Sequence, residues 1–200
     1  MTIRILTVCT GNICRSPLAA ELLASRLDPQ NFIVESAGTS ALVGEQMPDP
    51  AIEIATRLGA RAPEHHRAVV LTSETVVAAD LILGMELDHR RRAAQLHPTA
   101  VRRSFTLLEF AHIAAQITDA QLISVARHWE DPYAAALDTV MRMRGVVSRL
   151  PTERDYDVED PFGRLKQVYE RSARQVDRAV NQIVTFFAHA SVITVNSVQH

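Results

Sequence analysis

The β-branched and apolar run Ile3 to Val8 passes without delay into a loop, Cys9-Thr10-Gly11-Asn12-Ile13-Cys14-Arg15. Ser16-Pro17 then opens an apolar-periodic segment, Leu18 to Leu27. A buried strand turned at once into a helix constrains the rest of the chain. Such a strand must lie in a sheet covered on both faces, which calls for further strands alternating with helices. The remaining pattern supplies them. Asp28-Pro29 ends the first helix, Phe32 to Glu35 reads as a second strand, and Ser36 to Thr39 reads as the turn leaving it. Pro50 to Leu58 is helical and stops at Gly59, with Asp49 as its cap. Asp80 to Leu83 reads as another buried strand, Glu86 to Leu96 as a polar helix, and Val101 to Phe105 as a fourth strand with a helix beginning at Thr106. The expected class is α/β, a doubly wound, mainly parallel four-stranded sheet with helices on both faces. Ligands bind such sheets at the carboxyl ends of the strands, where the first strand delivers Cys9.

Ala111 to Glu153 has helical pattern broken by Pro132 and Gly145, Pro151 to Asp160 is acidic and loop-like, and Leu165 to Ala188 has the spacing of a last helix. The expected organisation is one domain over 1–190 with a helical insertion at about 111–157, and a loose tail at 191–200. The 200 residues, 47% hydrophobic and 22% charged, are enough for a core without staples. A net charge of -2 makes no case for nucleic acid, and no run approaches the roughly 20 apolar residues of a membrane helix. The N-terminal apolar stretch is too short for a secretory signal, so the cytoplasm is the default expectation. Cys9 and Cys14 are the only cysteines and Lys166 the only lysine. Two neighbouring thiols neither staple a domain nor complete a zinc site, so their place is read as chemical, with no metal and no cofactor expected.

A tight loop feeding a helix aims several backbone N–H groups into one hollow, and the helix dipole favours negative charge there. A tetrahedral dianion fits that hollow. Arg15 offers a planar fork for two of its oxygens. The same field favours a thiolate at Cys9, the nucleophile of an in-line attack giving a cysteinyl-phosphate that water then cleaves. Gly11 and Asn12 suit the unusual backbone angles of such a loop, and Ser16 is placed to donate to the thiolate. The bland reading makes Cys9 and Cys14 small core residues and Arg15 a solvated side chain. Cys-x5-Arg alone would not decide between them; Cys-x5-Arg-Ser between a buried strand and a helix favours the chemical reading.

Val8 to Pro17 resembles, almost residue for residue, the phosphate loop of low-molecular-weight protein tyrosine phosphatases. The resemblance continues at Ser36-Ala37-Gly38-Thr39, His66-Arg67-Ala68, Asp80 to Met85, Phe105-Thr106-Leu107 and Asp160-Pro161-Phe162-Gly163, covering roughly 1–110 and 158–188. It implies Cys9 as nucleophile, Arg15 as phosphate clamp, and Thr10, Gly11, Asn12, Ile13, Cys14 and Ser16 as the loop around the substrate. His66 resembles the histidine that braces the loop asparagine, although beside His65 it also reads as a surface residue. Of the Asp-Pro pairs, Asp160 and Asp131 both have an aromatic next in line. Phe162-Gly163 and the helix that follows favour Asp160 as general acid, with Phe162 stacking on an aromatic leaving group, while Asp131 reads more simply as a helix cap. Leu42 stands where eukaryotic members carry a pocket tryptophan and resembles bacterial members linked to polysaccharide control. The resemblance further implies that Cys14 can pair with an oxidised Cys9; its plain alternative is a small buried residue.

The implied substrate is a phosphorylated protein, phosphotyrosine on a kinase or a polysaccharide-pathway enzyme, with inorganic phosphate as product and neither nucleic acid nor membrane insertion involved. Two other readings stay open. One is an arsenate reductase using an external low-molecular-weight thiol, the downstream cysteines of the thioredoxin-coupled type being absent. The other is a phosphate-binding protein without turnover.

Overall fold

The four strands are β1 (Ile3–Cys9), β2 (Phe32–Gly38), β3 (Leu81–Gly84) and β4 (Ser104–Thr106). They pair in parallel throughout, in the order β2-β1-β3-β4. The computed structural model describes the backbone of residues 1–198 and the side chains of 1–193. The chain steps from β1 to β2 on one side, then returns across β1 to reach β3. Strand order thus reverses at β1, and the crevice this opens lies at the carboxyl end, where Cys9 sits.

Alternation along the strands explains the two layers. Ile3, Ile5, Leu81, Leu83 and Phe105 enter the larger core with α1 (Arg15–Arg26), α2 (Asp49–Arg57), α5 (Leu107–Ala114) and α8 (Lys166–Val198). Leu6, Val8 and Ile82 enter a smaller one with α3 (Ser73–Ala78) and α4 (Leu87–Leu96). The stretch read as an insertion forms α6 (Asp119–Ala126) and α7 (Pro132–Met143), and neither is an appendage. Leu122, Leu137 and Val140 are buried in the larger core. Tyr133 meets Phe32 edge-on at 4.8 Å, and Phe187 of α8 packs on both rings.

Several boundaries differ from the sequence reading. Ser36–Gly38 belongs to β2, because pairing with Thr7, Val8 and Cys9 outweighs the turn preference of small residues. Residues 101–103 form a 3-10 turn, and β4 starts only at Ser104. The first helix begins at Arg15 with Cys14 at its cap position, rather than at Ser16-Pro17. Asp49 lies inside its helix and Pro48 holds the cap position, with no side-chain cap bond. The tail expected at 191–200 is helical through Val198, since Ile183, Phe187, Ala190 and Ile193 continue the apolar stripe onto the core; its last two residues lie outside those described.

Candidate active site

The loop after β1 is shaped by what its carbonyls bind. Those of Cys9, Thr10 and Gly11 accept from the N–H groups of Thr39, Ser40 and Leu42 at 2.9, 3.0 and 3.1 Å. His66 Nε2 donates to the Asn12 carbonyl at 2.6 Å. Across trans peptides the following N–H groups point the other way, into the hollow. The Asn12 N–H shows it, donating to Cys9 Sγ at 3.2 Å. Asn12 is in the left-handed region (φ 55), uncommon without glycine, and its side chain holds it there. Its Nδ2 donates to Ser16 Oγ and Ser36 Oγ, both at 2.9 Å, and its Oδ1 accepts from Val69 N–H at 2.8 Å.

This arrangement orients Ser16. Its oxygen already accepts from Asn12, so its hydrogen is free for Cys9 Sγ at 3.0 Å, nearer than its other acceptor, the Ala37 carbonyl at 3.4 Å. Cys9 is buried and receives two donors. Cys14 is buried too, and burial first, then the neighbouring Cys9, pushes its thiol up to about 12, while a hydrogen bond with Tyr169 of α8 works the other way. His66 is held below the usual imidazole range, chiefly by burial. Because a carbonyl can only accept, its proton sits on Nε2.

Arg15, buried at the start of α1, joins three elements. Its Nη1 donates to Glu86 at the cap of α4 and to the Val158 carbonyl at 3.0 Å. Its Nη2 lies 3.2 Å from Asp160 Oδ2. The acid-bearing loop is tied to the sheet on its other side, Val158 N–H donating to Met85 O and Asp157 Oδ1 accepting from Leu87 N–H, each at 2.8 Å. Asp160 itself is half exposed, and its Oδ1 accepts from Phe162 N–H at 3.2 Å.

These elements enclose a pocket of about 190 Å³. Its floor is the loop with Cys9 and Arg15; its walls are Ile13, Ser40, Leu42, Asp160 and Phe162. A shallower groove of about 740 Å³, floored by Met47 and Pro48, adjoins it through Ile13, Leu42 and Phe162. Asp131 is elsewhere: it caps α7, accepting from Tyr133 and Ala134 N–H, and pairs with the Met1 ammonium at 2.8 Å. A separate cleft of about 510 Å³ between α4, α5 and residues 144–156 is lined by Arg90, Arg144 and Glu109, and holds none of the residues singled out in the sequence. Among the described residues no cluster of histidine, cysteine and carboxylates could hold a metal, and no helix is long and apolar enough to cross a membrane.

The model of the family described as low molecular weight phosphotyrosine protein phosphatase matches residues 4–144. The chain belongs to this family. It is 41% identical over 105 residues to the probable low molecular weight protein-tyrosine-phosphatase EpsP of Ralstonia nicotianae, 52% of this chain and 70% of the relative. To the low molecular weight protein-tyrosine-phosphatase Etp of Escherichia coli it is 34% identical over 149 residues, 74% of this chain and 90% of that one. The structure of the YwlE arginine phosphatase from Geobacillus stearothermophilus superposes with a TM-score of 0.65 at 25% identity, covering 99% of this chain and 97% of that one. The family match takes in α6 and α7 and stops short of Asp160, so the case for that residue rests on geometry.

Sequence reasoning missed four residues of this phosphatase site. Glu86 carries Arg15, Ser36 carries Asn12, Tyr169 meets Cys14, and His89 Nε2 lies 3.0 Å from Thr10 Oγ1. Glu86 and His89 looked like members of a solvated helix, and only the placement of α4 beside the loop gives them partners. Ser36 carried a signal, since it opens one of the family's matched stretches.

Proposed function

We propose that this phosphatase hydrolyses phosphotyrosine on proteins through a cysteinyl-phosphate at Cys9. In the first step the Cys9 thiolate attacks phosphorus in line, the bond to the tyrosyl oxygen breaks, and the Asp160 carboxyl gives that oxygen its proton. Loop N–H groups and the Arg15 fork hold the three equatorial oxygens as charge spreads over them. In the second step Asp160, now a carboxylate, takes a proton from water, whose oxygen attacks phosphorus. The P–S bond breaks, inorganic phosphate leaves, and the thiolate returns to the hydrogen bonds of Ser16 and Asn12. No metal or cofactor enters either step.

One observation carries the reading: Arg15 reaches Asp160 at 3.2 Å while both line the same pocket as Cys9. The choice of an aryl leaving group rests on the walls. Ile13, Leu42 and Phe162 offer apolar surface to a ring. A phosphorylated guanidinium, the group named in the YwlE relative, would ask a polar partner of those same positions. The resemblance makes a tyrosine kinase or a polysaccharide-pathway protein the substrate class, a cytoplasmic setting its counterpart, and 111–157 the region that holds residues added to the family's core.

The test is turnover of a phosphotyrosine peptide, a phosphoarginine peptide and p-nitrophenyl phosphate side by side. We expect the aryl substrates to turn over and phosphoarginine to lag by at least about tenfold in kcat/KM, the worth of one unmet polar contact. Preference for phosphoarginine would overturn the substrate class. Arsenate-dependent oxidation of an added thiol, without phosphatase turnover, would replace the reading with reduction. Phosphate binding with no turnover at all would leave a binding protein.

A further inference from the structure

His89 lies in the first turn of α4 with its ring buried against the loop. Its Nε2 is 3.0 Å from Thr10 Oγ1, whereas Nδ1 is buried with no partner among the described residues. Burial is the largest influence on the ring and moves it down to about 4. The charged groups facing it are Glu86 and Asp88 from its own helix, Arg15 from α1, and Asp160 from the loop opposite. At neutral pH the ring therefore holds one proton, on one of two nitrogens.

The two placements differ in what they leave unmet. With the proton on Nδ1, a buried N–H has no acceptor, which folded proteins rarely tolerate, and Thr10 must spend its hydrogen on Nε2. With the proton on Nε2, only a lone pair is left bare, and Thr10 Oγ1 becomes the acceptor. Its own hydrogen is then uncommitted. Thr10 is exposed at the Cys9 pocket, so that hydrogen is available to an oxygen bound there.

We propose that His89 is a positioning residue that donates from Nε2 to Thr10 Oγ1 and thereby turns the Thr10 hydroxyl into the pocket as a donor to a phosphoryl oxygen. The inference rests on phosphoryl transfer at Cys9 and adds a side-chain donor to an oxyanion cradle otherwise made of backbone and Arg15. It also gives the orphan nitrogen a reason: an acceptor at Nδ1 would stabilise the other tautomer and reverse the hydroxyl.

Nitrogen NMR of the wild-type protein with labelled histidine, titrated with inorganic phosphate, reads the tautomer without any variant. The expected result is a neutral ring protonated at Nε2 at pH 7, with and without phosphate; an Nδ1–H tautomer overturns the proposal. Thr10→Val should weaken inorganic phosphate and lower kcat/KM for p-nitrophenyl phosphate by about tenfold each, with Thr10→Ser close to wild type. His89→Met should match Thr10→Val, and the double variant should be no worse than either single one, because both remove the same hydrogen bond. His89→Gln, whose amide can donate from nearly the same place, should recover most of the loss. Additive losses, or phosphate affinity unchanged in Thr10→Val, would sink it. A wild type inert toward aryl phosphates overturns the proposed function alone, since the tautomer and the phosphate titration would still decide this one.

Discussion

Replacing the sulfur of Cys9 leaves every amide of the loop in place. Cys9→Ser should therefore keep inorganic phosphate affinity within a few-fold while turnover falls by a factor on the order of 10⁴ or more, read by calorimetry beside steady-state kinetics. Asp160→Asn should slow alkyl and phenyl phosphates by about 10²–10³, and p-nitrophenyl phosphate much less, because a good leaving group needs little help from an acid. Asp131→Asn should leave kinetics alone. Asp131→Ala, which removes the cap of α7, should cost about 0.5–2 kcal/mol in denaturant unfolding. Kinetics in the opposite order would move the acid to Asp131. Peroxide should inactivate the enzyme reversibly, with phosphate protecting it. Burial first, and then the charge on Cys9, keeps the Cys14 thiol protonated; oxidation of Cys9 to a sulfenic acid removes the second of these and leaves the first. Cys14→Ser should stay active but lose its recovery with thiol reductants; equal recovery, or no Cys9–Cys14 bond by mass spectrometry, would rule the switch out.

At the scale of elements, the strand, loop and first helix were legible because their residues are contiguous and their order states their geometry. Phe162-Gly163 and the helix that follows favoured Asp160 over Asp131 as the acid, and the exchange of the two remains the test of that choice. What could not be read was everything made by juxtaposition. Glu86 caps and His89 opens a mostly polar helix, and polarity looks the same whether it meets water or a catalytic loop. The end of β2 was misplaced because Ser36, Ala37 and Gly38 prefer turns locally, while the ladder to β1 decides their conformation. The region read as an insertion was seen as helical, yet nothing local showed that Tyr133 would reach Phe32. That junction predicts that Phe187→Ala, at the centre of the cluster of Phe32, Phe110, Tyr133 and Phe186, should cost about 3–5 kcal/mol. Circular dichroism and activity should then be lost in one transition; separate transitions would make α6 and α7 an independent unit.

Over the whole molecule, one buried and one half-buried histidine set how stability responds to acid. His66 and His89 both lie below the usual 6.5, His89 at about 4. The unfolded chain takes up protons there that the fold refuses, so this contribution is complete above about pH 6.5 and is lost as pH falls toward 4. The thermal midpoint should drop across that window, and His89→Gln should flatten part of the drop. Gly38 carries a different consequence. A Cβ there would stand 2.5 Å from the Thr10 carbonyl oxygen, because that stretch of β2 is laid directly against the loop. Mutational tolerance therefore has one of its narrowest points on a strand that never touches substrate. A single methyl group, in Gly38→Ala, should cost activity about 10²-fold by shifting the loop, leaving a folded protein whose fault lies outside any list of its catalytic residues.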